Sequence, residues 1–105
     1  MRGDVFQLNA PRDARGHEQS GRRYAVVVQA DELASLSTWL VAPTSTSARA
    51  ATFRPEIEIQ GRRTRVLAEQ ASAVDPSRLG ERVGHLAFAE LRAVDAALRL
   101  VMSLA

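Results

Sequence analysis

The chain reads as a mainly β domain closed by one C-terminal helix, an α+β arrangement built on a small, strongly bent antiparallel sheet or partial barrel. Three observations predict it. Short runs rich in β-branched and aromatic residues, such as Tyr24-Ala-Val-Val-Val-Gln29 and Thr38-Trp-Leu-Val-Ala42, are separated by polar connections. Glu56-Ile-Glu-Ile59 alternates with period two and is followed, across a Gln60-Gly61-Arg62 turn, by Thr64-Arg-Val-Leu-Ala68, so the two segments form a hairpin. Leu91, Val94, Leu98 and Val101 recur at three and four residues, which places one apolar stripe on a helix of about four to five turns.

The elements follow in order. Val5-Phe-Gln-Leu8 is a short strand stopped by Asn9-Ala10-Pro11, and residues 11–23 form a polar loop with Gly16 and Gly21 as turn residues. Tyr24–Gln29 is nearly continuously apolar, which predicts a central strand buried on both faces. Asp31–Ser35 has room for one helical turn before the strand Thr38–Ala42, which Pro43 is expected to end. Thr44–Thr52, made of Ser, Thr and Ala around Arg49, is a flexible connection to the hairpin. A further strand falls around Glu81–His85, giving five or six in all, and the helix is expected at the sheet edge. Its start is weakly marked: Ala87 stands three residues before Glu90 where a hydroxyl residue would complete a capping box, an omission costing roughly 1 kcal/mol.

Composition bounds the rest. At 105 residues and 46% hydrophobic, the chain has material for one domain, residues 1–105, with one modest core. No cysteine is present, which excludes disulfide frameworks, thiolate zinc sites and cysteine nucleophiles and suits a reducing cytoplasm. The opening residues lack a signal-peptide pattern and no uninterrupted apolar run is long enough to span a bilayer, so the expectation is a soluble cytoplasmic protein without membrane contact. All 14 basic residues are arginine, yet net charge is only +2. The guanidinium fork suits phosphate and stacks on bases, but a GC-rich coding sequence produces the same bias, and composition does not separate the two. Two histidines without cysteine form no metal-ligand spacing, so no metal or other cofactor is expected.

Four blocks then occur in order: Arg2-Gly-Asp-Val-Phe6; Gly16-His-Glu-Gln-Ser-Gly-Arg-Arg23 running into the apolar strand; Val41-Ala-Pro-Thr-Ser45; and Glu69-Gln70 near Val74-Asp75, with Val83-Gly84 before the helix. The second is the most specific, since Arg-Gly-Asp-Val and Pro-Thr-Ser recur widely. Together these blocks resemble the MazF/PemK (Kid) family of toxin endoribonucleases, and the resemblance spans nearly the whole chain. It implies an SH3-like small barrel of the MazF/PemK/CcdB type. It also implies a metal-independent mRNA interferase that cuts single-stranded RNA by 2′-hydroxyl attack, leaving 2′,3′-cyclic phosphate and 5′-hydroxyl ends.

By the same resemblance, the catalytic arginine opening the second strand falls on Arg23 and the threonine after the third strand on Thr44. A guanidinium and a hydroxyl donor can together stabilise the charge that builds on phosphorus. His17 falls where some members carry a histidine that could shuttle a proton, although a loop histidine is more often simply solvated. Glu69 falls on an acidic general base, a role that needs a raised pKa; pairing with an arginine is the plain alternative. Two departures stand out. Leu67 replaces the arginine that acts as general acid in some members, and Tyr24 replaces a proline, with core packing or base stacking as its possible uses. Arg15, Gln19, Arg22, Ser45, Phe53, Arg65 and Gln70 lie in segments that flank the RNA groove in the family, with Phe53 as an aromatic platform. His85 reads as structural.

The partners implied are single-stranded RNA (messenger RNA, with ribosomal and transfer RNA as further candidates), a MazE-like antitoxin with an acidic C-terminal tail, and a second copy of the chain. Leu100, Met102 and Leu104 lie off the main helical stripe and offer apolar surface for a homodimer. The competing reading is a protein that cuts nothing: a CcdB-like gyrase poison or a degenerate antitoxin binder. The nuclease reading requires Arg23 and Thr44 to meet on one side of the sheet, both reachable from solvent.

Overall fold

The structure, a computed structural model, describes residues 1–9 and 23–104. In chain order its elements are β1 (Asp4–Leu8), β2 (Tyr24–Val27), β3 (Trp39–Ser45), β4 (Glu56–Ile59), β5 (Arg62–Val66), β6 (Ser72–Val74), β7 (Leu79–His85) and α1 (Phe88–Val101). Single 3-10 turns occupy Asp31–Leu33, Ala68–Gln70 and Pro76–Arg78. Described strands lie side by side in the order β4, β5, β3, β2, β1, β7, and β6 also pairs with β3. All these pairings are antiparallel. The sheet therefore holds seven strands, one more than the upper expectation; β6 is only three residues long, too short to show a period in the sequence.

What bends the sheet is the length of β3. Its first half, Trp39–Val41, pairs with β6, and its last two residues, Thr44 and Ser45, pair with β5. One strand thus serves two partners on the same side, and the β4–β5 hairpin departs at the changeover. The β1–β7 ladder adds curvature through register shifts on either side of Phe6.

Pro43 sits at that changeover and does not end the strand, contrary to the sequence expectation. Val28 N donates to the Leu40 carbonyl at 3.1 Å, and the β2–β3 register pairs Val26 with Ala42 and Ala25 with Pro43. By alternation Pro43 lies at a position where its backbone groups point away from β2. Its carbonyl accepts from Leu67 N at 2.8 Å, and its nitrogen falls in the gap between β6 and β5, where no ladder bond is demanded. The strand accordingly continues through Thr44 and Ser45.

The central strand behaves as expected. Ala25, Val26, Val27 and Val28 are all buried, and their alternation feeds two cores. Val26 and Val28 join Val5, Ala42, Ile57, Ile59 and Val66 beneath the helix residues Val94, Ala97 and Leu98. Ala25 and Val27 join Val41 and Val74 on the other face, bordered by Phe6 and Trp39, whose rings meet edge-on at 6.1 Å. The helix therefore covers a face of the bent sheet rather than its edge, because its stripe has apolar partners only there. Its start is secured by Glu90, which accepts from Ala87 N at 2.8 Å and from Glu58 N of β4 at 2.9 Å; the second bond ties the hairpin to the helix.

The β4–β5 turn is tighter than the sequence suggested. Gln60 and Gly61 both have positive φ (51° and 82°), and Ile59 pairs directly with Arg62, so this is a two-residue hairpin turn with Arg62 already in the strand. At the opposite end, His85 Nδ1 lies 2.8 Å from Asp4 Oδ1, and Arg82 and the Met1 amino group each approach the same carboxylate at 3.1 Å. Burial alone would raise the Asp4 pKa, but these partners hold it below the usual value. His85 thus fastens β7 to β1.

Candidate active site

The bend leaves a groove between the end of β3 and the start of β5, with a volume of about 590 Å³. Arg23, Tyr24, Thr44, Ser45, Thr46 and Ser47 form one wall; Ile59, Gln60, Arg62 and Thr64 form the other. Among the described lining residues none is acidic, and Arg23 and Arg62 are the cations.

Arg23 and Thr44 lie side by side, but the guanidinium meets the Thr44 backbone and not its hydroxyl. Arg23 precedes β2, and its Nη2 donates to the Thr44 carbonyl at 3.3 Å; Thr44 Oγ1 donates to the Tyr24 carbonyl at 3.4 Å. The β2–β3 ladder brings the two residues together, because Ala25 opposite Pro43 puts Tyr24 beside Thr44. Arg23 is half-buried, with no carboxylate partner among the described residues. Thr44 departs from expectation. It lies inside β3 rather than after it, on the core face with Ala42, and retains only 3% exposure. Its hydroxyl reaches the groove only by turning off a bond long enough to be weak.

Ser45 lines the groove, with its hydroxyl 3.2 Å from that of Ser47 and accepting from Ser47 N at 3.2 Å. Tyr24 packs on the core, the first of the uses weighed for it, and also walls the groove.

Other expected residues lie elsewhere. Glu69 sits in the 3-10 turn after β5 and accepts from Arg54 through Nε (2.9 Å) and Nη2 (2.6 Å). Those hydrogen bonds hold its pKa below the usual carboxylate value, against a smaller opposing effect of burial, so the raised pKa wanted in a general base is overturned. It lines a different cavity, with Arg2, Asp95 and the end of α1. Phe53 is partly buried against the core, with the Arg54 guanidinium 5.4 Å from its ring centroid, and is not among the described lining residues of the groove. Arg65 is engaged with the Arg54 carbonyl at 3.0 Å and with Glu56 at 3.4 Å. Gln70 is exposed outside the groove lining. Leu67 is buried at 5% exposure, a core residue. Arg15, His17, Gln19 and Arg22 lie outside the described residues.

The groove contains residues that the sequence reading passed over: Thr46, Ser47, Gln60, Arg62 and Thr64. A signal existed for the last two. In the hairpin, Arg62 and Thr64 share the face of Ile59 and Ile57, so a hydroxyl and a cation stand where alternation calls for apolar residues.

Among the described residues no group of three or more His, Cys, Asp or Glu is arranged to hold a metal ion, and no helix is long and apolar enough to cross a membrane.

Comparison with known proteins bears on this arrangement. In sequence, the chain is 46% identical over 74 residues to a candidate toxin of Mycobacterium tuberculosis, covering 70% of this chain and 69% of that one. In structure, it is similar to a mycobacterial endoribonuclease solved with its cognate antitoxin (TM-score 0.81, 15% identity, 100% and 96% of the two chains). It is also similar to the Mycobacterium tuberculosis toxin MazF-mt6 (0.78, 14%, 97% and 98%) and to MazF from Deinococcus radiodurans (0.77, 24%, 98% and 96%). At such identities the structural likeness is one of fold, a mostly β half-barrel with one C-terminal helix. The family model for the PemK-like, MazF-like toxins of type II toxin–antitoxin systems matches residues 1–102, and to that family the chain belongs.

Proposed function

We propose that this chain is a metal-independent endoribonuclease toxin whose centre is Arg23. One observation carries the reading: a half-buried guanidinium, without a carboxylate partner among the described residues, stands in a groove with no acidic residue among its described lining. In the reaction, a ribose 2′-oxygen bonds to phosphorus as the bond to the 5′-oxygen breaks. The 2′-hydroxyl proton leaves to a base, and the departing 5′-oxygen takes a proton. Arg23 stabilises the charge on the non-bridging oxygens. Thr44 adds a second donor once its hydroxyl turns from the Tyr24 carbonyl. His17, six residues before Arg23, is the proposed proton carrier, and Glu69 is left as the partner of Arg54.

Thr44, at 3% exposure, does not meet the requirement that both side chains be reachable from solvent, so the proposal stands on Arg23 and on the family match alone. The partners follow from charge and surface. An acidic antitoxin segment laid across Arg23 and Arg62 would exclude RNA, and solved relatives do form antitoxin complexes. Leu100, Met102 and Leu104 are each more than half exposed at the end of α1 and are proposed as homodimer surface.

A second reading, a family member that binds without cutting, draws on Leu67 and on the Arg54-bound state of Glu69, which leave two proton-transfer roles unfilled. The deciding experiment mixes purified protein with a mixed-sequence RNA in EDTA and analyses the ends. Cleavage to cyclic phosphate and 5′-hydroxyl ends supports the nuclease; intact RNA, above all beside trapped gyrase, moves the assignment to the second reading.

A further inference from the structure

We infer that Thr64 reads a base of the RNA strand held in the Arg23 groove; this deepens the nuclease reading and rests on it. Thr64 is 6% exposed, and its Oγ1 is buried without a hydrogen-bond partner among the described residues. A hydroxyl in that state destabilises the free protein relative to a valine of the same shape. Its surroundings give no structural reason for it. Across the hairpin its partner is Ile57, two residues on is the buried Val66, and the face they share is the apolar core face.

Thr64 is nevertheless a wall residue of the groove. The β3–β5 register pairs Thr44 with Val66, which puts Thr64 one diagonal step from Thr44, about 7–8 Å away in a regular ladder. A change of χ1 rotamer is the movement by which the hydroxyl would be offered to whatever fills the groove.

The other lining residues say what that is. Arg23 and Arg62 suit the phosphates of a nucleotide chain, and Tyr24 and Ile59 offer an apolar surface to the face of an unstacked base. Between cations and apolar floor, a hydroxyl that both donates and accepts meets the edge of that base. Thr64 thereby determines sequence preference, while Arg23 determines rate.

The test compares wild type, Thr64→Val and Thr64→Ser on a mixed-sequence RNA pool in EDTA, with every cleavage end mapped and each thermal melt recorded. Thr64→Val is expected to relax the preference at one nucleotide position beside the cut by roughly tenfold. Thr64→Ser should keep the wild-type preference, and the Thr64→Val melt should match or exceed that of wild type. An unchanged cleavage pattern overturns the inference, as does a uniform loss at every site, which would mark a backbone contact. A lower melt with the pattern preserved overturns it by giving the hydroxyl a structural partner. If wild type leaves the pool intact, the nuclease reading itself fails, an outcome distinct from a variant that cuts as wild type does.

Discussion

Two cavities among the described residues are nearly equal in volume, about 590 Å³ for the Arg23 groove and 570 Å³ for one beside α1, yet they differ in how their charges are satisfied. Beside α1, Arg2 pairs with Asp95 at 2.6 Å and Glu69 with Arg54 at 2.6 Å, while Arg99 lines the same cavity without an ion pair among the described residues. In the groove, Arg23 and Arg62 have no acidic neighbour among the described lining residues, and the Thr64 hydroxyl has no partner there either. Paired charges hold structure together, whereas unpaired ones in a groove are poised for something else. The proposed chemistry lies at the β3–β5 divergence, where the ion pairs found beside the helix have no counterpart among the described residues.

The largest test of the contrast is Arg23→Ala. Losing the principal charge donor is expected to lower RNA cleavage about 100- to 1000-fold, while the melt moves little because its bond to the Thr44 carbonyl is long at 3.3 Å. A collapse of folding would make Arg23 a structural residue and erase the difference between the cavities. Next in size is Thr44→Val, expected to slow cleavage about tenfold at unchanged fold, since only a 3.4 Å bond to the Tyr24 carbonyl is lost. Unaltered kinetics there would confine Thr44 to packing.

Glu69→Gln probes the other cavity. Cleavage should stay within about twofold of wild type while stability in chemical denaturation drops by about 0.5–1 kcal/mol, as expected for a pair whose members are about one-quarter exposed. A hundredfold loss of cleavage would instead restore Glu69 as general base. The smallest effect is in pH dependence. Arg54 holds the Glu69 pKa below its ordinary 4.5, so the pair's contribution is fully present above that value and lost as pH falls through the lower, folded-state pKa. Stability of wild type should therefore converge on that of Glu69→Gln as pH falls from above 4.5 through the depressed folded-state pKa; curves that stay parallel on acidification would show that Arg54 adds nothing.

Periodicity was enough to read the central strand, the hairpin and the helical stripe, because each buries its own alternating or 3.6-residue face. It failed at Pro43 and at β6. Both depend on β3 serving two partners, a property of no single segment. At the site, Arg23, Thr44 and Ser45 were legible through the resemblance, and the structure brings them into one groove. Phe53, Arg65 and Gln70 were not brought there, since proximity in sequence to a groove-lining strand does not say which way a side chain turns.

By itself, the sequence determined the mainly β class, the closing helix and the family, since these follow from pattern and motif along the chain. Only tertiary structure decided that Glu69 belongs to Arg54, that Thr44 is buried, and that Thr64 shares a wall with Arg23. Those facts arise where β5 leaves β6's side of β3, and a contact between strands far apart in the chain depends on register and twist, which no local run of residues encodes.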